Sequence, residues 1–242
     1  MATGTVERSP LFYARVAGVI YLSAMALSIF SQVFILDPLI VEGDARATAA
    51  NILAAEGLFR LGIAVDVSIA ASDVVIAWAF YELLKSVDRS LALVGALLRV
   101  ADGAILAVTS FSALLTLRLL SGVNYLQAFN TSQLQSLARL SVSVRGSGFY
   151  VAFFFLGLGS AVFAYVLFKS RYVPRVLAGW GVFASLVLAV GSLAVILSSR
   201  FAANASMIYM VPMFFYEVPL GFWFLIRGVD VPAIEAAARA HV

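Results

Sequence analysis

The sequence predicts an all-α fold: a polytopic membrane helical bundle of six transmembrane helices, with two further amphipathic helices at the membrane interface. Three observations carry that prediction. Of 242 residues, 63% are hydrophobic and 12% charged, with a mean hydropathy of +1.02, against about 25% charged in a soluble domain. The apolar residues gather into runs long enough to cross ~30 Å of hydrocarbon, which takes about 20 helical residues. Runs such as FYVAFFFLGLGSAVFAYVLF lack the alternation of a membrane β-strand.

The spans fall near 12–36, 57–84, 90–118, 147–169, 175–199 and 206–227, in one membrane domain covering 1–242. The first is too long for a signal peptide and lacks a small-residue cleavage site, so it is expected to persist in the mature protein. Ahead of span two, ARATAANILAAEGLFRLG begins a helix near Ala45 that directs Ile52, Leu53 and Leu58 toward the outer interface. Ahead of span four, TSQLQSLARLSVSVRGSG places Leu134, Leu137, Ala138 and Val142 on one helical face, with Thr131 or Ser132 as its cap. Both read as interfacial helices, either covering the mouth of the bundle or acting as a lid or lipid entrance.

Orientation follows from the short loops, because Lys and Arg are retained on the cytoplasmic side. Lys85 and Arg89, then Lys169, Arg171 and Arg175, flank two turns; Arg8 and Arg15 precede span one and Arg227 closes span six. Six spans put all of these on one side, with both termini cytoplasmic. The opposite side carries an acidic first loop with Asp37, Glu42, Asp44 and Glu56. Arg139 and Arg145, in a loop read as 119–146, are the one discordant feature. The chain also echoes itself: YELLKSVDRSLALVGALL resembles YVLFKSRYVPRVLAGWGV, and WFLIRGVDVP resembles YVLFKSRYVP. These echoes suggest three parallel helical hairpins, although aromatic–aliphatic–basic endings also suit any cytoplasmic helix end.

Composition excludes several functions. The basic pI of 9.3 is accounted for by topology, and no basic face with interleaved aromatics points to nucleic acid. There is no cysteine, and the one histidine, His241, is next to the C-terminus. Thiolate chemistry, iron–sulfur clusters, a histidine-held haem and a histidine acid–base pair are therefore excluded. No metal site or cofactor is expected, and a phosphate-rich substrate is disfavoured by the lack of an Asp-rich or Gly-rich motif. Membrane lipids are the partners the composition requires.

What remains are charged groups placed deep in the spans. In DVSIAASDVV, Asp66 and Asp73 lie two helical turns apart and project from one face. Span three returns with Arg99 and Asp102 at overlapping depth, and span six carries Glu217 between Pro212 and Pro219. Each isolated charge at mid-membrane costs roughly 2.5–3.5 kcal/mol, so these groups need mutual pairing or a hydrated cavity. Arg60, Glu82 and Arg118 lie close enough to span ends to reach water. One arginine satisfies one or two carboxylates, with Asp73 the expected partner of Arg99. The surplus acids, Glu217 above all, are expected to face the interior bearing a proton.

The segments ARVAGVIYL, TAANILAAEGLFRLGIAVD, DVVIAWAFYELLKSVDRSLALVGALLRV, FFFLGLGSAVFAYVLFKSRYVPRVLAG and EVPLGFWFLIRGV resemble the bacterial membrane family of domain of unknown function 4386, over about Ala14 to Val229. The resemblance implies six helices in a bacterial membrane and the same residue types at Arg60, Asp66, Asp73, Arg99 and Glu217; it implies no activity. Where such proteins often carry histidines, this chain has Arg145 and Gly159.

Three functions fit these residues. In the first, a chamber of Asp66, Asp73, Arg99, Asp102 and Glu217 binds or transports a small amphiphilic or cationic molecule or a proton. In the second, Glu217 or Asp73 is the catalytic acid of an intramembrane enzyme acting on a lipid-like or isoprenoid substrate, with Phe214, Phe215, Tyr216, Phe222 and Trp223 as its aromatic surroundings. The third is a structural or regulatory subunit, its polar network setting helix register.

Overall fold

The computed structural model describes residues 9–198, 200–202 and 208–229; Arg8 and His241 lie outside them. Among the described residues there is no strand, and six helices are long and apolar enough to cross a membrane. They comprise α1 (Pro10–Phe30), α3 (Glu56–Leu84), α4 (Arg89–Leu120), α5 (Thr131–Ser170), α6 (Arg175–Leu197) and α7 (Val211–Ile226), with the short α2 (Ala45–Ala54) between the first two. Each begins where local chemistry permits. Pro10 starts α1, where its missing N–H costs nothing. Asp88 caps α4 by accepting from the Leu91 N–H, and that hydrogen bond, with Lys169 nearby, holds its carboxyl below the usual range. Past Phe30, α1 widens to π-helical turns over Ser31–Leu36 and tightens again at Asp37–Leu39.

The six spans form a closed ring in chain order: α1 packs on α3, α3 on α4, α4 on α5, α5 on α6, α6 on α7, and α7 back on α1. Neighbours are antiparallel, so Lys85, Arg89, Lys169, Arg171, Arg175 and Arg227 share one end, here the basic end. Glycines set several of the crossings, as membrane packing requires. A Cβ on Gly103 would stand 2.8 Å from the Ala70 carbonyl oxygen and 3.0 Å from the Asp73 Cβ. The backbones of α3 and α4 therefore meet beside Asp73.

Two expectations need correction. The segment from Thr131 is not a separate interfacial helix; it runs unbroken into span four as the 40-residue α5. At ~1.5 Å per residue α5 is about 60 Å long, against about 40–45 Å for a whole bilayer. Its first turns thus project past the membrane, and the loop ahead of it shrinks to 121–130. Its cap is Asn130, not Thr131 or Ser132, in a reciprocal pair with Gln133. The helix at Ala45–Ala54 does form, capped by Asp44, and packs on the projecting turns of α5. Ile52 is fully buried there with Phe59, Leu117 and Val142, while Leu53 and Leu58 stay exposed. This helix packs on α5, on α3 and on the turn at Asp37–Leu39.

Cysteines replacing Glu42 and Gln127 will react with an impermeant maleimide from one side of the membrane, and cysteines replacing Ser90 and Arg171 from the other. Labelling of the 42 and 171 positions from the same side would rule out the ring. Gly103→Ala will lower the melting temperature, whereas Gly146→Ala, where a Cβ meets nothing within 4 Å, will leave it unchanged or raise stability by up to about 1 kcal/mol.

Candidate functional site

All five residues of the expected polar chamber line one cavity of about 200 Å³: Asp66 and Asp73 from α3, Arg99 and Asp102 from α4, and Glu217 from α7. Tyr21, Asp73, Arg99, Asp102 and Glu217 lie 9 to 13 residues from the basic ends of their helices, or about 14–20 Å along the axis. Chain spacing alone brings them to one depth, because neighbouring spans run in opposite directions.

Arg99 is the centre of the cluster. Its Nε donates to Asp73 Oδ1 at 2.9 Å and its Nη2 lies 2.7 Å from the same oxygen. Asp102, one turn along α4, is only within 3.9 Å of Nε. The guanidinium also lies 5.4 Å from the ring centroid of Tyr21, close enough for cation–π attraction. The Tyr21 hydroxyl in turn donates to Glu217 Oε1 at 2.9 Å. Asp73, Arg99 and Asp102 are buried, and Arg99 Nη1 and Asp102 Oδ1 have no hydrogen-bond partner.

Asp66 has a separate partner that the sequence reading misplaced. Arg145, assigned there to an outer loop, lies in α5 and donates from Nε and Nη2 to Asp66 Oδ2 at 2.9 and 2.6 Å. Its guanidinium stands 4.8 Å from the Phe149 ring centroid. Arg145 is buried and neutralised inside the bundle rather than free on the surface, which leaves Arg139 as the discordant charge at that end. Both aspartates of DVSIAASDVV thus meet an arginine from a neighbouring helix, each arginine over an aromatic ring. The 40-residue length of α5 was the missed signal. Tyr21 was also missed; only its depth in span one marks it.

Two further readings change. Pro212 sits in the first turn of α7, where proline is harmless, so only Pro219 interrupts the helix near Glu217. The aromatic residues of α7 do not surround Glu217. Phe214, Phe215 and Phe222 are 45%, 60% and 51% exposed on the outer face, and Tyr216 is buried against α6 at Gly181. The rings at the cavity are Tyr21, Phe149 and Phe153 instead. Arg60 and Glu82 are surface residues paired to Glu56 and Lys85.

Two turns below Asp73 on the same seam, Phe80 stacks on Phe163 with centroids 4.7 Å apart and meets Phe224 at 5.7 Å. These rings are at most 3% exposed, so the cavity is closed toward the basic end. On the other side its wall reaches Ser28 and Ile29, both exposed on α1. Among the described residues, no three carboxylates, histidines or cysteines gather closely enough to hold a metal ion.

Residues 16–228 match the family described as a domain of unknown function, DUF4386. The chain belongs to that family. No curated protein and no solved structure matches it. In this DUF4386 chain, Arg145 and Gly159 both bear on the chamber: Arg145 through Asp66, and Gly159 through a Cβ position 3.3 Å from the Arg99 backbone nitrogen.

Arg99→Ala strands Asp73 and will cost about 3–5 kcal/mol. The double variant Arg99→Ala with Asp73→Ala will recover about 1 kcal/mol or more of that loss. Melting temperatures in detergent for the two single variants and the double complete the cycle, and additive losses would mean that the pair contributes no coupling.

Proposed function

We propose that the chain binds a small amphiphile bearing a positive charge, with its charged group beside Asp102 and Glu217 and its apolar part toward Ile29 and Phe153. The observation that supports this reading is the charge count at the cavity. Four carboxyls, Asp66, Asp73, Asp102 and Glu217, line it against one arginine, Arg99, and Arg145 engages only Asp66. Two acids are left without an ion-pair partner of good geometry. In hydrocarbon they carry protons or attract a cation, since an unpaired charge there is costly. Exchange of the one for the other is the chemistry of proton-coupled uptake, and transport is the natural extension of binding.

The cavity's size and position favour a particular shape of ligand. Its ~200 Å³ falls below the ~300–1,000 Å³ of pockets that enclose a drug-sized molecule, so the ligand is small or only partly enclosed. The exposed Ser28 and Ile29 at its edge suit entry from the lipid side of α1 rather than through the plugged basic end. In a bacterial inner membrane with both termini cytoplasmic, which the loop charges favour, the chamber lies beyond the aromatic plug as seen from the cytoplasm.

A short-chain alkyltrimethylammonium ion serves as the probe. It will raise the melting temperature of the wild-type protein in neutral detergent, and an alkyl glycoside of equal chain length will not. In the double variant Asp102→Asn and Glu217→Gln, which keeps shape and hydrogen bonding, the protein will fold with near-native stability and the shift will vanish. An equal shift in wild type and variant would overturn the assignment.

A further inference from the structure

At the basic end, well away from the chamber, a second cleft of about 570 Å³ opens between the turn that precedes α6 and the end of α7. Three arginines line it: Arg171 from the turn, Arg175 at the start of α6, and Arg227 just past the end of α7. Of the other cations at this end, Lys85 pairs with Glu82 and Lys169 with Asp88. The three cleft arginines have no carboxylate partner among the described residues, and no described acid lines the cleft. Retention of cytoplasmic arginines explains their presence at this end, but not their convergence from two distant segments.

The arginines are held in place. The Arg175 guanidinium lies 5.4 Å from the Phe168 centroid and that of Arg227 5.9 Å from Trp223. Arg171 ends α5 at φ 61°, the one non-glycine residue at positive φ among those described, where glycine would be easier. The first turn of α6 starts at the cleft without a side-chain cap, so its free N–H groups add to the positive field. Tyr172, Val173 and Val229 make a buried floor. Beside the arginines, Val176 and Ile226 are 86% and 75% exposed, and the outer faces of α6 and α7 continue with exposed Phe183 and Phe222.

We propose that this cleft binds the headgroup of an anionic phospholipid. The phosphodiester lies among Arg171, Arg175 and Arg227, Trp223 sits at headgroup level, and the acyl chains run along Val176 and Ile226. Guanidinium groups suit phosphate by their planar, paired donors, and basic pockets between spans at the cytoplasmic face are lipid headgroup sites in general. A free phosphate shares the first part of this chemistry. The exposed apolar flanks select the lipid.

The test is a melting curve of the delipidated full-length protein in neutral detergent. Phosphatidylglycerol at about ten times its dissociation constant will raise the melting temperature by about 3–6 °C. Phosphatidylcholine of the same chains, or inorganic phosphate, will not. Arg175→Gln with Arg227→Gln will abolish the shift. Arg171→Gly removes a guanidinium and relieves the positive φ, so it will leave the lipid-free protein equally or more stable while reducing the lipid shift. A full shift in both variants, or an equal shift with phosphatidylcholine, would overturn the site. An equal shift with inorganic phosphate would make it a phosphate site rather than a lipid one. A shift seen only after Asp230→Asn and Glu235→Gln would mean that the chain's own acids fill the cleft.

Discussion

The constraint on which the bundle depends is the burial of Arg99. A guanidinium at this depth is tolerable only with a carboxylate beside it, and Asp73 is there at 2.7 Å. The contact requires α3 and α4 to approach until their backbones nearly touch, which Gly103 allows. It also fixes the rotation of α3 about its axis. Once Asp73 points at Arg99, Asp66 points inward two turns above it and Phe80 two turns below, because a seven-residue step repeats the same face of a helix.

That seam organises the interior of the ring. Asp66 meets Arg145 of α5, Asp73 meets Arg99 of α4, and Phe80 meets the rings of Phe163 and Phe224. The three levels draw in four of the other spans, with Tyr21 of α1 joining the middle level through Glu217. The interior is therefore graded along the bundle axis: an ion pair toward the mouth opposite the basic end, an acidic chamber in the middle, and an aromatic plug toward the basic end. Packing alone would fill the middle level with apolar side chains. Instead it carries two more carboxyls than the arginines satisfy, together with unpartnered polar atoms on Arg99 and Asp102.

Much of this was legible beforehand. Six spans, their order and their shared basic end follow from apolar run length and loop charge, because hydrocarbon demands that every backbone polar group be satisfied within a helix. Membership of the chamber was also readable, since antiparallel spans put residues at one depth when their distances from helix ends agree. Asp73, Arg99, Asp102 and Glu217 were found on that ground, and Asp66 by its two-turn spacing from Asp73. Tyr21 was not, since a tyrosine in a span carries no charge to announce it. Arg145 was not, since SVSVRGSG is polar and glycine-containing and reads as a loop until α5 is seen to continue through it.

The sequence by itself determined the class of the protein, the number of its spans, and the depth of Asp66, Asp73, Arg99, Asp102 and Glu217, because these depend on transfer from water to hydrocarbon and on helical rise. Only the tertiary structure decided which carboxylate each arginine meets, that the α7 phenylalanines face outward, that the cavity is plugged at one end, and that three arginines converge at that end. These depend on the rotation of each helix about its own axis. Small-residue crossings and long-range side-chain contacts set that rotation, and a one-dimensional pattern rich in apolar residues on every face leaves it open.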